Sequence, residues 1–346
     1  MPKLMIMAGG TGGHIFPGLA VAEALQAKGW DIIWLGTADR MEADIIPQHG
    51  IPFYTIDIQG IRRNGLLKKI TLPIVLCRAV WQARTILKQT QPDVVLGMGG
   101  YASGPGGLAA KALGLPLFIH EQNAVLGLTN RWLAKIANHV FTGFAINIGE
   151  AVGNPVRAAF NRVPALQLNA DQTLHILVVG GSLGAQVFNE TLPTIFANYS
   201  NIVITHQCGR GNVETVNAAY ATHGLQTQVS VVEFIEDMPT AFAQSHLLIC
   251  RAGALTVAEV AAAGRAAIFV PLPSAVDDHQ THNALYLAKR DAGLVIAQST
   301  LTAVLPNVLD TLLSQPQQLI EIAQQAKACA RLEATQHIVT ALEQAA

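Results

Sequence analysis

Residues 4–14 read LMIMAGGTGGH, and this stretch decides the fold. Five apolar residues, Leu4 to Ala8, run directly into Gly9-Gly10-Thr11-Gly12-Gly13-His14. A short continuous apolar run closed by glycine reads as a strand buried on both faces. The stretch Phe16–Lys28 behind it reads as helix. The same opening recurs at Leu174–Val179, where the apolar run enters Gly180-Gly181-Ser182-Leu183-Gly184-Ala185, 171 residues on from Gly9 to Gly180. Working outward from the first opening, Ile32–Leu35, Val94–Met98, Leu117–His120 and Val140–Thr142 read as strands. Leu66–Lys88 and Leu128–Ala137 read as helices. Behind the second opening, strands are expected at Ile202–His206, Val229–Val232, Leu247–Cys250, Ala267–Val270 and Leu294–Ile296. Strands spaced by helices make parallel βαβ units, so the expected fold is α/β, with two doubly wound Rossmann-like domains. Facing each other, such domains make a cleft at the carboxyl ends of their strands. Phe144 to Gln172 reads as the linker, with a short strand near Ala151, and Gln317–Leu342 as helix interrupted around Lys327–Leu332.

Composition supports two cores. The chain has 346 residues, more than one core usually serves, with 51% hydrophobic and 13% charged residues. A formal net charge of −1 excludes a general polyanion binder, so no nucleic-acid partner is expected. The apolar start Met1 to Ala8 is too short for a secretory signal. Val94 to Ala110 is free of charge but broken by six glycines and Pro105, so it is no spanning helix. Cys77, Cys208, Cys250 and Cys329 are scattered without a C-x-x-C pair, which fits reduced thiols in a cytoplasm and no zinc site.

A glycine-rich turn from strand to helix lets backbone N–H groups approach an anion where the helix dipole favours negative charge. Neither loop completes G-x-G-x-x-G, since position 15 is Ile15, and neither ends in Gly-Lys-Ser/Thr. A dinucleotide oxidoreductase and a P-loop enzyme therefore fit poorly. A nucleoside diphosphate leaving a sugar develops negative charge that the enzyme must meet. With no Asp-x-Asp to hold a metal, helix termini and an arginine are the expected means, Arg157 or Arg251.

Seven segments then carry a resemblance. They are GGTGGH (9–14), GGYASGP (99–105), HEQNA (120–124), GNPVR (153–157), GGSLGA (180–185), GALTVAE (253–259) and DDHQTHNA (277–284). Together, in this order, they resemble the family of glycosyltransferases that add N-acetylglucosamine to the lipid-linked peptidoglycan precursor. The resemblance implies the GT-B fold, with residues 1–156 and a returning helix 328–346 forming an acceptor and membrane-side domain. Residues 157–327 would then form the UDP-sugar domain. It implies UDP-N-acetylglucosamine as donor and undecaprenyl-diphosphate-N-acetylmuramoyl-pentapeptide as acceptor. Transfer would go to the 4-hydroxyl with inversion, without metal or other cofactor. By matching position, Glu259 would hold the uridine ribose and the Ile235 backbone would read the uracil edge. Ser182 and Arg157 would lie near the diphosphate, with Ala254, Leu255 and Thr256 supplying a turn at a helix start. Gln280 and Asn283 would hold sugar hydroxyls, and Asn123 and Thr11-Gly12-Gly13 would contact the donor.

Inverting transfer needs a base for the acceptor proton. Histidine titrates near neutrality, so His14 is suited, with Glu121 as the alternative. His120 ranks behind His14. Tyr101 and Thr11 read as acceptor-side residues. Arg62, Arg63, Lys68, Lys69 and Arg78 are mixed with Leu66, Leu67, Ile70, Leu72, Ile74, Val75, Leu76 and Trp81. Such a mixture suits peripheral binding to the cytoplasmic leaflet of the inner membrane. Wall-synthesis and division proteins are further partners compatible with that position. A nucleotide-sugar epimerase and a non-catalytic sugar-nucleotide binder are the competing readings; the epimerase leaves GGYASGP and HEQNA unexplained.

Overall fold

The computed structural model of the chain describes residues 1–58, 66–168, 173–181 and 183–346, with the side chains of 66–72 outside the description. Ser182, Arg62 and Arg63 therefore lie outside the described residues, as do the side chains of Leu66, Leu67, Lys68, Lys69, Ile70 and Leu72. The chain divides into two compact units, Met1–Arg157 with Arg331–Ala346, and Ala158–Ala330.

The first unit holds β1 (Lys3–Ala8), β2 (Asp31–Gly36), β3 (Phe53–Thr55), β4 (Val94–Gly99), β5 (Leu117–Glu121), β6 (His139–Thr142) and β7 (Glu150–Ala151). They pair in the order β3-β2-β1-β4-β5-β6-β7, each neighbouring pair parallel. The unbroken apolar run of β1 follows from burial on both sides. Leu4, Ile6 and Ala8 join one core with Trp34, while Met5 and Met7 join the other with Ala79 and Ala109. Successive side chains of a strand point to opposite faces, so both must be apolar when both are covered.

The second unit holds β8 (Leu174–Val179), β9 (Ile202–Gln207), β10 (Val229–Val232), β11 (Leu247–Cys250), β12 (Ala266–Phe269) and β13 (Leu294–Val295). Their order, β10-β9-β8-β11-β12-β13, repeats that of the first sheet through six strands. In both units the strand order reverses beside the first strand, between β1 and β4 and between β8 and β11. Open sheets bind ligands at the carboxyl ends flanking that reversal. Both glycine loops leave from there.

The first helix starts at Gly12, earlier than the expected Phe16, which places His14 in its opening turn. A helix at Ser103–Ala112 begins within the glycine-broken stretch Val94 to Ala110. The helix Met41–Gln48 and β3 were not expected at all. The C-terminal helix breaks after Ala328 and resumes at Ala334. Leu319 and Ala323 of the first piece pack in the second unit's core. Ile338, Val339 and Leu342 of the last piece pack with Leu4 and Ile6 in the first unit. Among the described residues, no helix is long and apolar enough to cross a membrane.

Each sheet buries a histidine near the carboxyl end of a strand, His120 on β5 and His206 on β9. Desolvation lowers both from the usual value to about 4. Both rings are neutral in the fold, whereas the unfolded chain takes up their protons below about 6.5. Stability is therefore lost as pH falls from about 6.5 to about 4, and is retained above that window. Each histidine should cost about 2 kcal/mol at pH 5 relative to pH 7. Thermal unfolding at the two pH values checks this, and equal midpoints would contradict it.

Candidate active site

In the first unit, β1 ends at Ala8, and Gly9 to Thr11 turn the chain into the helix Gly12–Gln26. The loop is fastened by Glu42, which is fully buried. Its carboxylate accepts from the N–H of Gly10 at 2.9 Å, the N–H of Thr37 at 3.1 Å and the hydroxyl of Thr37 at 2.8 Å. Sequence reasoning missed Glu42, because one acid in the opening turn of a short helix looks like any solvated one. Thr11 is exposed at the tip, and the helix start presents Gly12 and Gly13. The loop after β4 lies against this one, since a Cβ at Gly100 would collide with the backbone of Gly9. Tyr101 follows, 40% exposed, with the Arg40 guanidinium 5.8 Å from its ring centre.

His14 is half-buried. Its Nδ1 lies 2.9 Å from Gln122 Oε1. Gly99 has φ +105°, and a Cβ there would stand 2.8 Å from His14 Nδ1, so the ring rests on bare backbone. Gln122 Nε2 in turn lies 3.1 Å from His120 Nδ1, and His120 Nε2 lies 2.9 Å from the Gly153 carbonyl oxygen. His14 Nε2 has no hydrogen-bond partner among the described residues.

Glu121, expected as an alternative base, is 2% exposed. It accepts from the N–H and side-chain amide of Asn123 at 3.0 and 3.2 Å. It also accepts from the N–H of Gly127 at 3.0 Å and the side-chain amide of Asn130 at 2.9 Å. Four donors commit this carboxylate to shaping the loop that carries Asn123. The Arg157 guanidinium stands 5.8 Å from the Phe16 ring centre, at the last residue of the first unit.

In the second unit, β8 leads into Gly180 and Gly181, and Leu183 to Ala185 lead into the helix Gln186–Phe196. Gln207, 1% exposed, joins two expected elements. It donates from Nε2 to the Gly181 carbonyl at 2.9 Å and accepts at Oε1 from the N–H of Ile235 at 3.0 Å. The Ile235 N–H is thus already engaged.

After β11, Arg251-Ala252-Gly253 turns into the helix Ala254–Ala263. Ala254 and Leu255 are buried there, Thr256 is partly exposed, and Glu259 lies one turn further along, 9% exposed. Two expected sugar ligands converge on this turn. Gln280 Oε1 accepts from the N–H groups of Ala252 at 3.2 Å and Leu272 at 3.0 Å, while Gln280 Nε2 has no partner among the described residues. Asn283 is fully buried and donates from Nδ2 to the Ala252 carbonyl at 3.2 Å. Asn283 thus ties the helix His279–Ala288 to this turn. Arg251 donates to the carbonyls of Val270 at 3.0 Å and Pro271 at 3.3 Å, and to Gln298 Oε1 at 2.8 Å. These bonds set it to bracing the end of β12. Just before the helix of Gln280, Asp277 and Asp278 have φ of 53° and 51°, a left-handed pair costing about 1–3 kcal/mol each.

The glycosyltransferase family 28 N-terminal domain matches residues 4–142, and the family 28 C-terminal domain matches residues 175–339. The chain belongs to glycosyltransferase family 28. A family relative from Tolumonas auensis is 53% identical over 97% of both chains. It is named UDP-N-acetylglucosamine--N-acetylmuramyl-(pentapeptide) pyrophosphoryl-undecaprenol N-acetylglucosamine transferase. The crystal structure of Acinetobacter baumannii MurG is 45% identical, covers 99% of this chain and 100% of its own, and superposes with a TM-score of 0.83. A UDP-N-acetylglucosamine 2-epimerase is 16% identical with a TM-score of 0.65, covering 98% of this chain and 94% of its own. At that identity only the fold is shared. Of the residues singled out in the sequence, this family 28 chain gathers Thr11, Gly12, Gly13, His14, Tyr101, Glu121 and Asn123 at the carboxyl ends of β1, β4 and β5 and in the segments that directly follow them. In the second unit it gathers Ala254, Leu255, Thr256, Gln280 and Asn283 around Ala252, while Gln207 ties Ile235 to the glycine loop.

Proposed function

We propose that this chain transfers N-acetylglucosamine from UDP-N-acetylglucosamine to the 4-hydroxyl of undecaprenyl-diphosphate-N-acetylmuramoyl-pentapeptide, with inversion and without a metal. The carrying observation is the 53% identity, over 97% of both chains, with a relative that bears the name of that transferase. His14 supports the reading from the geometry. It is partly accessible, braced at Nδ1 and open at Nε2, in the first turn of the helix that follows β1. As the acceptor oxygen attacks the anomeric carbon, its proton passes to His14 Nε2. The bond from that carbon to the diphosphate oxygen breaks, and its electron pair leaves with UDP. Developing charge on the leaving group suits the glycine loop 180–185 and the start of the helix Ala254–Ala263. We assign the first unit to the acceptor and the second to the donor. Glu259 holds the ribose, the Ile235 carbonyl reads the uracil, Gln280 offers Nε2 to the sugar, and Ser182 and Arg157 serve the diphosphate. Asn123 and Thr11 complete the donor contacts, and Tyr101 faces the acceptor.

Transfer in excess EDTA, with the new linkage identified by NMR as β from the α-linked donor, tests both finer points. A product retaining the α configuration, or activity abolished by EDTA and restored by a divalent ion, would overturn them.

We further place the first unit against an anionic membrane surface. On the helix Leu66–Thr90, Ala79, Ala83 and Leu87 recur every four residues and are buried. Ile74 and Trp81 stay 71% and 66% exposed. Arg78 pairs with Asp57 at 3.1 Å, an exposed contact of little strength. Each cation near such a surface contributes about 1 kcal/mol, which gives reversible binding. The protein should float with anionic vesicles at low salt and be released at high salt. Failure to float at low salt would count against this position.

A further inference from the structure

We propose that the Gly153 carbonyl, acting through His120 and Gln122, sets the tautomer of His14 so that Nε2 carries the lone pair. This deepens the base role given to His14 above and rests on it. The Gly153 carbonyl has a fixed role. A carbonyl oxygen can only accept, so His120 Nε2, 2.9 Å from Gly153 O, must carry a proton. Burial keeps the His120 ring neutral, with its pKa lowered to about 4. A neutral imidazole has one N–H, so His120 Nδ1 is an acceptor. The group facing it at 3.1 Å must then be the amide nitrogen of Gln122. The same nitrogen lies 3.4 Å from the His120 carbonyl, another pure acceptor, so both neighbours demand a donor there. That orientation turns Gln122 Oε1 toward His14 at 2.9 Å. An amide oxygen only accepts, so His14 Nδ1 carries the proton and its Nε2 does not.

The amide orientation of Gln122 is therefore dictated at both ends by chemistry. Gln122 is 1% exposed, and its own carbonyl accepts from the Asn154 amide at 3.0 Å, so the side chain has little room to turn. Gly99 closes the Nδ1 edge of the His14 ring. The tautomer so imposed is the reverse of the one a free histidine favours in water, and it is the one a base needs. When Nε2 takes the acceptor proton, Nδ1–H keeps donating to Gln122 Oε1 in both states. No proton moves along the chain, which holds the ring's orientation and protonation pattern. His120 and Gln122 are thus positioning residues.

The test is the nitrogen spectrum of the full-length protein labelled with 15N-histidine, at a pH where His14 is neutral, with His14→Gln used to assign its signals. The expected result is a protonated Nδ1 and an unprotonated Nε2 on His14, and the opposite pattern on His120. Gln122→Met, of similar volume but without hydrogen bonds, should shift His14 toward the Nε2–H form. It should lower kcat about 10- to 100-fold with the KM for the donor little changed. Gln122→Glu, which still accepts from His14 Nδ1–H, should keep the wild-type His14 pattern. Wild-type His14 protonated at Nε2 overturns the proposal, and so does an unaltered Nδ1–H pattern in Gln122→Met. Undiminished turnover on loss of the His14 ring, with the wild-type tautomer as expected, would remove the base reading and leave the relay standing.

Discussion

Turnover by His14→Ala is expected to fall about 10²–10⁴-fold while binding of UDP-N-acetylglucosamine stays within a fewfold of wild type. The range is what a positioned general base supplies. The split between turnover and binding follows from the site's construction. His14 stands in the opening turn of the first unit's first helix, whereas the groups assigned to the uridine and the sugar, Ile235, Glu259 and Gln280, all lie in the second unit. Its neighbours are fixed independently of its ring, Gly10 by Glu42 and Gln122 by His120 and Asn154. Removing the ring should therefore leave the loop in place. Steady-state kinetics beside calorimetric titration with the donor separates the two effects. A loss of less than tenfold with binding intact would remove His14 from the base role and return attention to the acceptor-side loops.

The second large effect is on stability. Gly184 sits in the second glycine loop with φ +74°, and a Cβ there would fall inside the carbonyl of Cys208. Gly184→Ala must therefore accept a left-handed alanine and also push two backbone segments apart. The first costs about 1–2 kcal/mol and the second typically about 1–3. For a unit of this size the unfolding midpoint should drop by roughly 10 °C. Gln207 links this loop to Ile235, so UDP affinity should fall with it. A midpoint within 2 °C of wild type, measured by calorimetry, would mean that the loop accommodates the methyl group by local movement.

Much of the fold was legible because β1 and β8 are so strongly marked. An apolar run that must be hydrophobic on both faces, ended by glycines, leaves few alternatives, and its repetition predicts the second sheet. Where legibility failed, local composition hid the packing. The helix Ser103–Ala112 contains Pro105 and three glycines of the glycine-broken stretch Val94 to Ala110. Those glycines are there because the helix lies close on its neighbours; a Cβ at Gly107 would stand 2.7 Å from Leu133 Cδ2. β3 is only three residues long and carries no pattern that distinguishes it from its surroundings.

In the site, residue types on the glycine loops pointed to His14. The braces were invisible. Glu42, Gln122 and Gln207 reach Gly10, His14 and Gly181 across 32, 108 and 26 positions of sequence, which no spacing rule reaches. Glu121 and Asn283 are motif positions whose side chains are buried and hydrogen-bonded within their own units. A motif position can mark a residue that shapes the site from beneath, and only burial and hydrogen bonds separate the two roles.

The most direct test of the transferase assignment is release of UDP from UDP-N-acetylglucosamine, in EDTA, with and without the lipid-diphosphate-muramoyl-pentapeptide. Release is expected to require the acceptor and to match the disaccharide product mole for mole. Release without acceptor, accompanied by free N-acetylmannosamine, would contradict the assignment in favour of an epimerase. Donor binding by folded protein with no release under either condition would contradict it in favour of a sugar-nucleotide binder.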